Sequence, residues 1–326
     1  MKKAAVILGG VSLLLVDACG GHSDSAASAA KLAPTSTPAS VRTVTPAART
    51  WWHSADTGTS NGGEFQWELD HPLNIRSAKD MGHGARNAAR NMASNPRLYD
   101  IDGIQNPKST VTALHRQGYK VICYIEVGAA GNYYSAAEEG VSVTYYAQLK
   151  AAGDLGREMQ GYAEHYLNIN AASTVSIVKS MIGKQCAAKN FDAVEPDIDD
   201  SYTDSTGYKI TETENERYDK TLGAYAHRLG LAWGQKNGDN DPAFSKALEP
   251  TTDFLLTEEC RFYHTCGIAA PPYVKARKLV LDAEYTDDWG SSAAADLGKF
   301  CPADISGRID GTLFTSALAG QRNPCR

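Results

Sequence analysis

Eight short segments rich in β-branched and aromatic residues alternate along the chain with longer stretches whose apolar residues recur at helical spacing. Because the short segments are bounded by polar or turn-forming residues, the pattern predicts a strand followed by a helix, repeated eight times. This order, over about 265 residues, is typical of a single-domain α/β (β/α)8 TIM barrel. The predicted strands are residues 65–69, 98–102, 120–125, 191–195, 231–235, 253–257, 278–283 and 311–315.

Local signals support this alternation. The Asn106-Pro107 pair is predicted to start a helix, with Asn106 as its cap and Pro107 as its first residue, and Gly118 to stop it, because proline suits the first helical turn and glycine the position after the last. An open doubly wound sheet is the alternative fold. It requires a glycine-rich turn after the first strand, and none follows Leu69. Residues 75–96 and 129–168 exceed ordinary connections and are predicted to be insertions on the barrel rim.

The amino terminus predicts export. Two lysines precede an apolar run over residues 4–16, which is too short for a mature membrane helix and is typical of a signal peptide. A small residue followed by Cys19 resembles the lipidation site of bacterial lipoproteins, although Asp17 is unusual there. We therefore expect lipid anchoring to the cell envelope through Cys19, with secretion as the alternative. The predicted division is a signal peptide at 1–18, a disordered Ala/Ser/Thr/Pro tether at 19–50 and the folded barrel domain at 51–326.

Composition narrows the partners. The chain has 42% hydrophobic and 21% charged residues and a formal charge of −6, as expected of a globular protein. No cluster of Lys and Arg of the kind that binds nucleic acid is present, so nucleic acid is not predicted as a partner. The mild acidic excess suits a cationic or neutral substrate. The folded domain is expected to be a monomer.

The cysteine count is consistent with export. If Cys19 carries lipid, six cysteines remain, and an even number in an exported chain predicts disulfides. Fifteen pairings are conceivable. A bond between Cys260 and Cys266 is favoured because it closes a short loop. A bond between Cys301 and Cys325 would fix the carboxyl terminus, which leaves Cys123 with Cys186. A zinc site is less favoured because the usual ligand spacings are missing.

The segment from Phe191 to Asp200 begins as a buried strand and ends with four carboxylates within six residues. Alternate residues of a strand share a face, so Glu195 and Asp197 are expected on one face and Val194 on the other. Unpaired buried carboxylates are costly. Such a strand end therefore indicates a cation site, a sugar site or acid–base chemistry, with a solvated loop as the alternative.

Carboxylates recur at the ends of other predicted strands, where barrel enzymes have their active sites. Glycoside hydrolysis requires two carboxyl groups, one protonated and one ionised. A metal site and a substrate-cation site are the competing interpretations. No histidine lies at these ends, which argues against zinc but leaves calcium or magnesium open, and we predict no cofactor and no metal. The polar strand ends are Glu68, Asp70, Asp100, Asp102, Tyr124, Glu126, Glu195, Asp197, Lys236, Asn237, Glu258, Glu259, Asp282, Glu284 and Tyr285.

Eight motifs in order resemble glycoside hydrolase family 114, the endo-α-1,4-polygalactosaminidases, over about residues 65–325. The resemblance implies a barrel that cleaves α-1,4-linked galactosamine polymers, so the expected partner is a cationic or partly acetylated amino-sugar polysaccharide. The motifs are Trp67 with Leu69, Tyr99-Asp100-Ile101-Asp102, Val121-Ile122-Cys123-Tyr124-Ile125, Val194-Glu195-Pro196-Asp197, Lys236-Asn237, Glu258 with Cys260, Glu284-Tyr285 and Phe300-Cys301-Pro302.

The resemblance also implies roles. Asp197 would be the nucleophile or base and Glu258 the general acid. For several other residues, structural roles are the alternative: Glu195 as a buried partner, Tyr124 and Tyr285 as core residues. The residues expected to contact substrate are Asp102, Tyr124, Glu195, Lys236, Asn237, Glu284 and Tyr285.

The chain departs from the family pattern around the expected substrate. The family usually has another acid three residues after the position of Asp102, where this chain has Gln105. Glu126 stands in place of a serine, and Thr257 and Glu259 stand where amides are common. The catalytic pair is retained, but the sugar is left open. The alternatives are a non-catalytic polysaccharide-binding lipoprotein on the same barrel and a hydrolase of a different α-linked glycan.

Overall fold

The computed structural model describes residues 65–89, 91–238, 240–289 and 292–326. The predicted signal peptide, Cys19 and the tether lie outside these residues, as does the start of the predicted barrel domain before Phe65. No helix among the described residues has both the length and the apolar character needed to cross a membrane.

All eight predicted strand segments form strands of one sheet, and consecutive members pair in parallel in chain order. The prediction of a (β/α)8 barrel is confirmed. These strands are β1 (Phe65–Glu68), β2 (Leu98–Asp102), β3 (Lys120–Glu126), β7 (Ala193–Asp197), β8 (Ala232–Lys236), β9 (Phe254–Glu258), β10 (Leu279–Tyr285) and β11 (Asp310–Phe314).

Strand alternation divides the apolar residues between the barrel interior and the surrounding helices. Phe65, Leu98, Phe254 and Phe314 belong to one buried cluster inside the barrel, whereas Val194 belongs to the larger cluster under the helices. The rings of Phe65 and Phe314 are 5.3 Å apart, so the first and last barrel strands are joined by packing across the interior. The lower barrel is therefore a solid apolar core that supports a polar upper layer.

Helices follow most barrel strands, as the apolar spacing predicts. The longest begins with a capping box: Thr211 accepts a hydrogen bond from the Glu214 backbone, and the Glu214 side chain accepts one from the Thr211 backbone. These reciprocal bonds satisfy backbone groups that a helix start otherwise leaves unpaired. The helices are Lys108–Arg116, Tyr145–Ala152, Ala172–Met181 with a π-helical continuation Ile182–Ala187, Glu212–Arg228, Pro242–Leu248, Cys266–Ala276, Thr286–Trp289 and Ala293–Gly307.

The two predicted insertions differ in structure. Residues 129–167 contain a three-stranded antiparallel sheet, in the order β4 (Ala129–Gly131), β6 (Glu164–Leu167) and β5 (Leu155–Glu158). It starts three residues beyond the end of β3 and so lies on the active-site rim. The described part of 75–96 contains only turns and an isolated bridge between Arg86 and Ala93.

A ninth strand of the barrel sheet, β12 (Arg322–Pro324), was not predicted. It pairs antiparallel to β11, and the backbones of Ala88 and Ala89 donate to the carbonyls of Pro324 and Cys325 at 3.0 and 2.9 Å. Three residues are too few to show an alternating pattern, so only the tertiary pairing identifies this strand.

Three disulfides join the six remaining cysteines in the pairs that the sequence favoured. Cys260 bonds to Cys266 and closes the loop directly after β9. Cys301 bonds to Cys325 and attaches the carboxyl terminus to the last long helix. Cys123 on β3 bonds to Cys186 in the π-helical turn. In each case a barrel strand, or the chain next to one, is tied to the outer layer.

Candidate active site

The upper half of the barrel interior is polar. Ala193 lies in the inner apolar cluster, so the alternation of β7 turns Glu195 and then Asp197 toward the barrel axis at successively higher levels. The same alternation brings Lys236 of β8 and Glu258 of β9 into the interior. The predicted shared face of Glu195 and Asp197 is therefore present, and it opens at the carboxyl ends of the strands.

Lys236 lies at the centre of this layer. Its Nζ is 2.9 Å from Asp197 Oδ1, 3.2 Å from Glu258 Oε2 and 3.2 Å from Glu195 Oε1. The lysine side chain is only 3% exposed. We refer to Lys236, Glu195, Asp197 and Glu258 as the Lys236 cluster. Burial would lower the lysine pKa, but the carboxylates of Asp197, Glu258 and Glu195 outweigh it and hold the pKa well above its usual value. The ammonium group therefore stays charged.

Asp197 is kept ionised by its neighbours. Burial would raise its pKa, but the charge of Lys236 and the hydrogen bonds from Tyr124 and Lys236 lower it below the usual value. The Tyr124 hydroxyl donates to Asp197 Oδ2 at 2.6 Å. Since the Asp197 side chain is 17% exposed, the carboxylate is accessible from the barrel mouth and is an anion at neutral pH.

Glu258 is the more open of the two upper carboxylates, with 29% of its side chain exposed. The hydroxyl group of Tyr285 donates to its Oε1, and Lys236 contacts its Oε2. The Asn237 side chain positions Glu258 through the Glu258 backbone, because Asn237 Oδ1 accepts a 2.8 Å hydrogen bond from the Glu258 amide. Asn237 therefore acts on Glu258 through the main chain at the strand end.

Glu195 lies one level deeper and is fully buried. Trp67 Nε1 donates to its Oε2 at 3.1 Å, and the Trp67 ring lies 5.0 Å from Lys236 Nζ. Asp100 is also fully buried, and burial and then repulsion from Glu195 raise the Asp100 pKa well above its usual range. The raised pKa favours the neutral form of Asp100 beside the Glu195 carboxylate. These residues form the base of the site.

Asp102 organises the loop after β2. Its Oδ1 accepts from the backbone amides of Ile104 and Gln105 at 2.7 and 2.8 Å, and its Oδ2 accepts a 2.6 Å bond from the Tyr134 hydroxyl. Only 3% of the residue is exposed. Although it faces the interior beside the site, each of its carboxylate oxygens already accepts hydrogen bonds from neighbouring residues.

The structure does not bring Glu284 into the Lys236 cluster. Ala283 and Tyr285 face the barrel interior, so the alternation of β10 turns Glu284 outward. Its Oε1 accepts from the Arg261 amide at 2.7 Å, and its Oε2 accepts from the Phe262 amide and Trp289 Nε1 at 3.2 and 3.1 Å. Burial raises the Glu284 pKa to about 7. Glu284 thereby fixes the loop that follows Glu258.

Three successive barrel strands leave the site through left-handed backbone. Ile198, Asn237 and Glu259 have φ angles of 57°, 50° and 57°, each directly after the last residue of β7, β8 or β9. Such angles are uncommon for residues other than glycine and strained for a β-branched isoleucine. The sharp turns follow immediately after Asp197, Lys236 and Glu258, so strain is concentrated where the three side chains converge.

Two further acids lie near the Lys236 cluster, and the sequence drew attention to Glu126 but not to Glu164. Glu126 pairs in register with Asp197, and burial, then repulsion from Glu164 and Asp197, raise its pKa well above its usual range. Glu164 comes from the insertion and accepts a 2.7 Å bond from Tyr133. The alternation beyond Tyr124 indicates the position of Glu126. No local signal places Glu164 there, because the insertion folds back through long-range pairing.

Among the described residues, one group of three side chains has the spacing of a metal site: Cys260, Cys266 and Asp282. The two cysteines form a disulfide, so their sulfurs are not thiolate ligands. This group therefore does not constitute a metal centre. The Lys236 cluster has its own cation in the lysine ammonium group.

A nearly closed, mostly parallel barrel with a carboxylate-lined mouth at the carboxyl ends of its strands is typical of the class of barrel glycosidases. Comparison with known proteins gives the family: residues 41–326 match the model of Glycoside-hydrolase family GH114, and the chain belongs to that family. The protein is therefore a glycoside hydrolase. No curated protein sequence matches the chain.

Two solved structures show the same fold. The crystal structure of Aspergillus fumigatus Ega3 in complex with galactosamine is 24% identical, covers 81% of this chain and 95% of its own, and superimposes with a TM-score of 0.66. The glycoside hydrolase domain of PelA from Pseudomonas aeruginosa is 12% identical, covers 79% and 96%, and has a TM-score of 0.53. Both similarities extend over the barrel described above.

Proposed function

We propose that this glycoside hydrolase cleaves internal bonds of an α-1,4-linked, galactosamine-type polysaccharide, with Asp197 and Glu258 as its carboxylate pair. The observation that carries the proposal is the position of Lys236, which contacts both carboxylates at 2.9 and 3.2 Å. One cation thereby holds two partly exposed acids side by side at the barrel mouth, where a glycosidic bond is accessible to both.

The surroundings of the two acids support different roles. Asp197 has a lowered pKa and suits the nucleophile, whose attack on the anomeric carbon breaks the bond to the leaving oxygen. Glu258, the more exposed acid, suits the proton donor to that oxygen. In the second step Glu258 takes a proton from water, and the resulting hydroxide displaces Asp197 from the sugar. At the end of the cycle Asp197 is again a free carboxylate and Glu258 again carries its proton.

The spacing favours retention of anomeric configuration. Since Lys236 Nζ lies 2.9 Å from Asp197 Oδ1 and 3.2 Å from Glu258 Oε2, these two oxygens are at most about 6.1 Å apart. Retaining enzymes have carboxyl groups about 5–5.5 Å apart, whereas inverting enzymes need roughly 6.5–9.5 Å to admit a water molecule. An upper limit below the inverting range supports direct attack by Asp197 over activation of an interposed water molecule.

The charge around the pair supports an amino-sugar substrate. Glu126, Glu164 and Glu259 lie around the site, and each has a raised pKa, with burial as the largest cause. The ammonium group of a deacetylated galactosamine would stabilise the ionised form of these acids. The structure of Ega3 contains galactosamine, which supports the same sugar class for this chain.

The test is incubation of the purified domain with partly deacetylated α-1,4-galactosamine oligomers, followed by mass spectrometry of the products. We expect internal cleavage by the wild type and losses of at least about 1,000-fold in Asp197→Asn and Glu258→Gln. Glu158→Gln is a matched control, because Glu158 is exposed on β5. Full activity in Asp197→Asn would refute the assignment. A wild type that binds the polymer without shortening it would support the non-catalytic alternative.

For location and assembly, we propose a monomer attached to the bacterial envelope through lipidated Cys19, supported by the apolar run at 4–16 and the small residue before the cysteine. Expression of the full chain and of Cys19→Ala tests this. Lipidation predicts that the wild type sediments with membranes and that the variant is released. Equal release of both would favour secretion. Light scattering of the soluble domain tests the monomer.

A further inference from the structure

Two exposed tyrosines lie at the barrel mouth. Six large apolar side chains in the described part of the chain are 37–60% exposed, and Tyr162 (52%) and Tyr263 (60%) are the aromatic ones. Isolated exposed aliphatic residues are normal on a protein surface. Two exposed aromatic rings beside one carboxylate-lined cavity are a different case, because glycosidase substrates present flat, apolar ring faces as well as polar groups. The set is Ile75, Met92, Val143, Tyr162, Leu229 and Tyr263.

Tyr162 is held above the site by the three-stranded insertion. Its amide donates to the Met159 carbonyl at 3.1 Å in the turn between β5 and β6. Strand β6 is attached to the barrel at its other end, where the Leu167 amide donates to Gly128 at 2.9 Å. The adjacent Val127 amide donates to the Asp197 carbonyl, also at 2.9 Å. The turn that carries Tyr162 is thus connected by backbone bonds to the strand end that carries Asp197.

Tyr263 is supported by the loop on the Glu258 side of the Lys236 cluster. It lies in the loop that follows Glu258, and its amide donates to the Glu259 carbonyl at 3.0 Å. Its ring packs edge-on against Phe262 with centroids 5.0 Å apart, and Phe262 packs against Trp289 at 5.7 Å. The loop is closed by the disulfide between Cys260 and Cys266. Tyr263 is therefore an exposed ring on a rigid base.

The order of the barrel strands places the two rings on different sectors of the rim. Tyr162 follows the third barrel strand and Tyr263 follows the sixth, whereas the Lys236 cluster comes from the fourth, fifth and sixth. Electrostatics agree with this position. Burial and then the Glu258 carboxylate raise the pKa of Tyr162. Glu259, burial, Asp288 and Glu258 raise that of Tyr263. Both hydroxyl groups therefore lie within the field of Glu258.

We infer that Tyr162 and Tyr263 are sugar-binding platforms, each of which stacks against one amino-sugar ring of the polymer on either side of the bond that is cleaved. The inference rests on the proposed function and extends it to the flanking subsites. A tyrosine ring offers an apolar face to the sugar and a negative quadrupole to its ammonium group. The two platforms would guide a long chain across the mouth, so cleavage is internal and short oligomers bind weakly.

The test separates binding from chemistry. Tyr162→Ala and Tyr263→Ala are compared with Tyr→Phe variants at the same positions, and with Leu229→Ala as a control, because Leu229 is an exposed apolar residue at a helix end. Initial rates are measured on long and on short galactosamine oligomers. Binding of the long oligomers is measured by calorimetry in an Asp197→Asn background.

Each alanine variant is expected to raise KM and Kd for long oligomers about two- to five-fold, as expected for an exposed cation–π or stacking contact. The kcat value should change little, the Phe variants should retain affinity, and the rates on the shortest cleaved oligomer should be least affected. Alanine variants that behave like Leu229→Ala, while the wild type cleaves the polymer, would overturn the inference and leave the proposed function intact. A wild type that does not cleave galactosamine polymers but binds another polysaccharide through these tyrosines would refute only the proposed substrate.

Discussion

The ammonium group of Lys236 lies 2.9 Å from Asp197 Oδ1, in a part of the barrel where the lysine side chain is 3% exposed. This contact connects stability with chemistry. The buried cation neutralises Glu195 below it, and it also keeps the Asp197 carboxylate ionised at the mouth. Removal of one charge therefore affects both the fold and the reaction.

Lys236→Met should shift the pH dependence of activity. Without the ammonium group the burial of Asp197 dominates, so its pKa rises. Because Asp197 acts as an anion, the acidic limb of the kcat/KM profile moves to higher pH. Stability should fall by about 3–5 kcal/mol, since Glu195 loses its buried partner. The measurements are the pH–rate profile and urea denaturation.

Two further variants make this result interpretable. Lys220→Met removes a surface lysine that pairs with Glu216 at 2.8 Å, and it should cost less than about 1 kcal/mol. Lys236→Arg retains the charge, so the folded variant should keep the acidic limb of its kcat/KM profile near the wild-type position. An unchanged acidic limb in Lys236→Met would contradict the electrostatic role of the lysine.

Glu284→Gln should flatten the pH dependence of stability. Burial raises the Glu284 pKa in the folded state from 4.5 to about 7. Between these values the folded protein binds more protons than the unfolded chain, so this group's contribution is complete below pH 4.5 and is lost as the pH rises through 7. The loss amounts to roughly 3 kcal/mol, and glutamine, which does not titrate, removes it. Chemical denaturation at several pH values measures the slope.

The control for this prediction is Glu158→Gln, which removes an exposed carboxylate on β5 and should leave the slope as in the wild type. Loss of a hydrogen-bond acceptor at Glu284 lowers stability at every pH and does not change the slope. A Glu284→Gln protein with the wild-type slope would therefore show that this carboxyl group is not responsible for it.

The three disulfides should contribute to stability in the order of the lengths of the loops that they close, with the longest loop contributing most. The bonded cysteines are 63 residues apart in Cys123–Cys186, 24 in Cys301–Cys325 and 6 in Cys260–Cys266. Loop-closure entropy predicts losses of about 4.3, 3.4 and 2.2 kcal/mol when each pair is replaced by alanines. Urea denaturation of the three double variants gives the order. A greater loss for the shortest loop would show that this bond acts mainly on the folded state.

Gly128→Ala should reduce both stability and activity. A Cβ atom at Gly128 would overlap the backbone carbonyl group of Ile198, the strained residue directly after Asp197. Because backbone cannot move aside as a flexible side chain does, the strand end must shift. Gly267→Ala is the matched control: a Cβ there meets nothing within 4 Å, and alanine favours the helix. We expect a severe loss of kcat in Gly128→Ala and a neutral or stabilising effect in Gly267→Ala.

Strand alternation explains why some residues expected at the site face the barrel interior and Glu284 does not. Asp197, Lys236 and Glu258 lie an even number of residues from inward-facing Ala193, Ala232 and Phe254, so the same period that predicts the strands directs these side chains inward. The same rule applied to β10 turns Glu284 outward, away from the cluster. The motif drew attention to Glu284, but parity with its neighbour Tyr285 indicates its direction.

The sequence by itself determined the eight strands, their alternation with helices and the inward direction of Asp197 and Glu258. These features depend on the period of a strand or helix and on hydrogen bonds within a few residues. Tertiary structure alone decided that Lys236 contacts three carboxylates, that β12 joins the sheet, and that the insertion brings Glu164 and Tyr162 to the mouth. Each of these results depends on contacts between residues far apart in the chain, and their geometry is set by the packing of strands and loops around the barrel rather than by any local pattern.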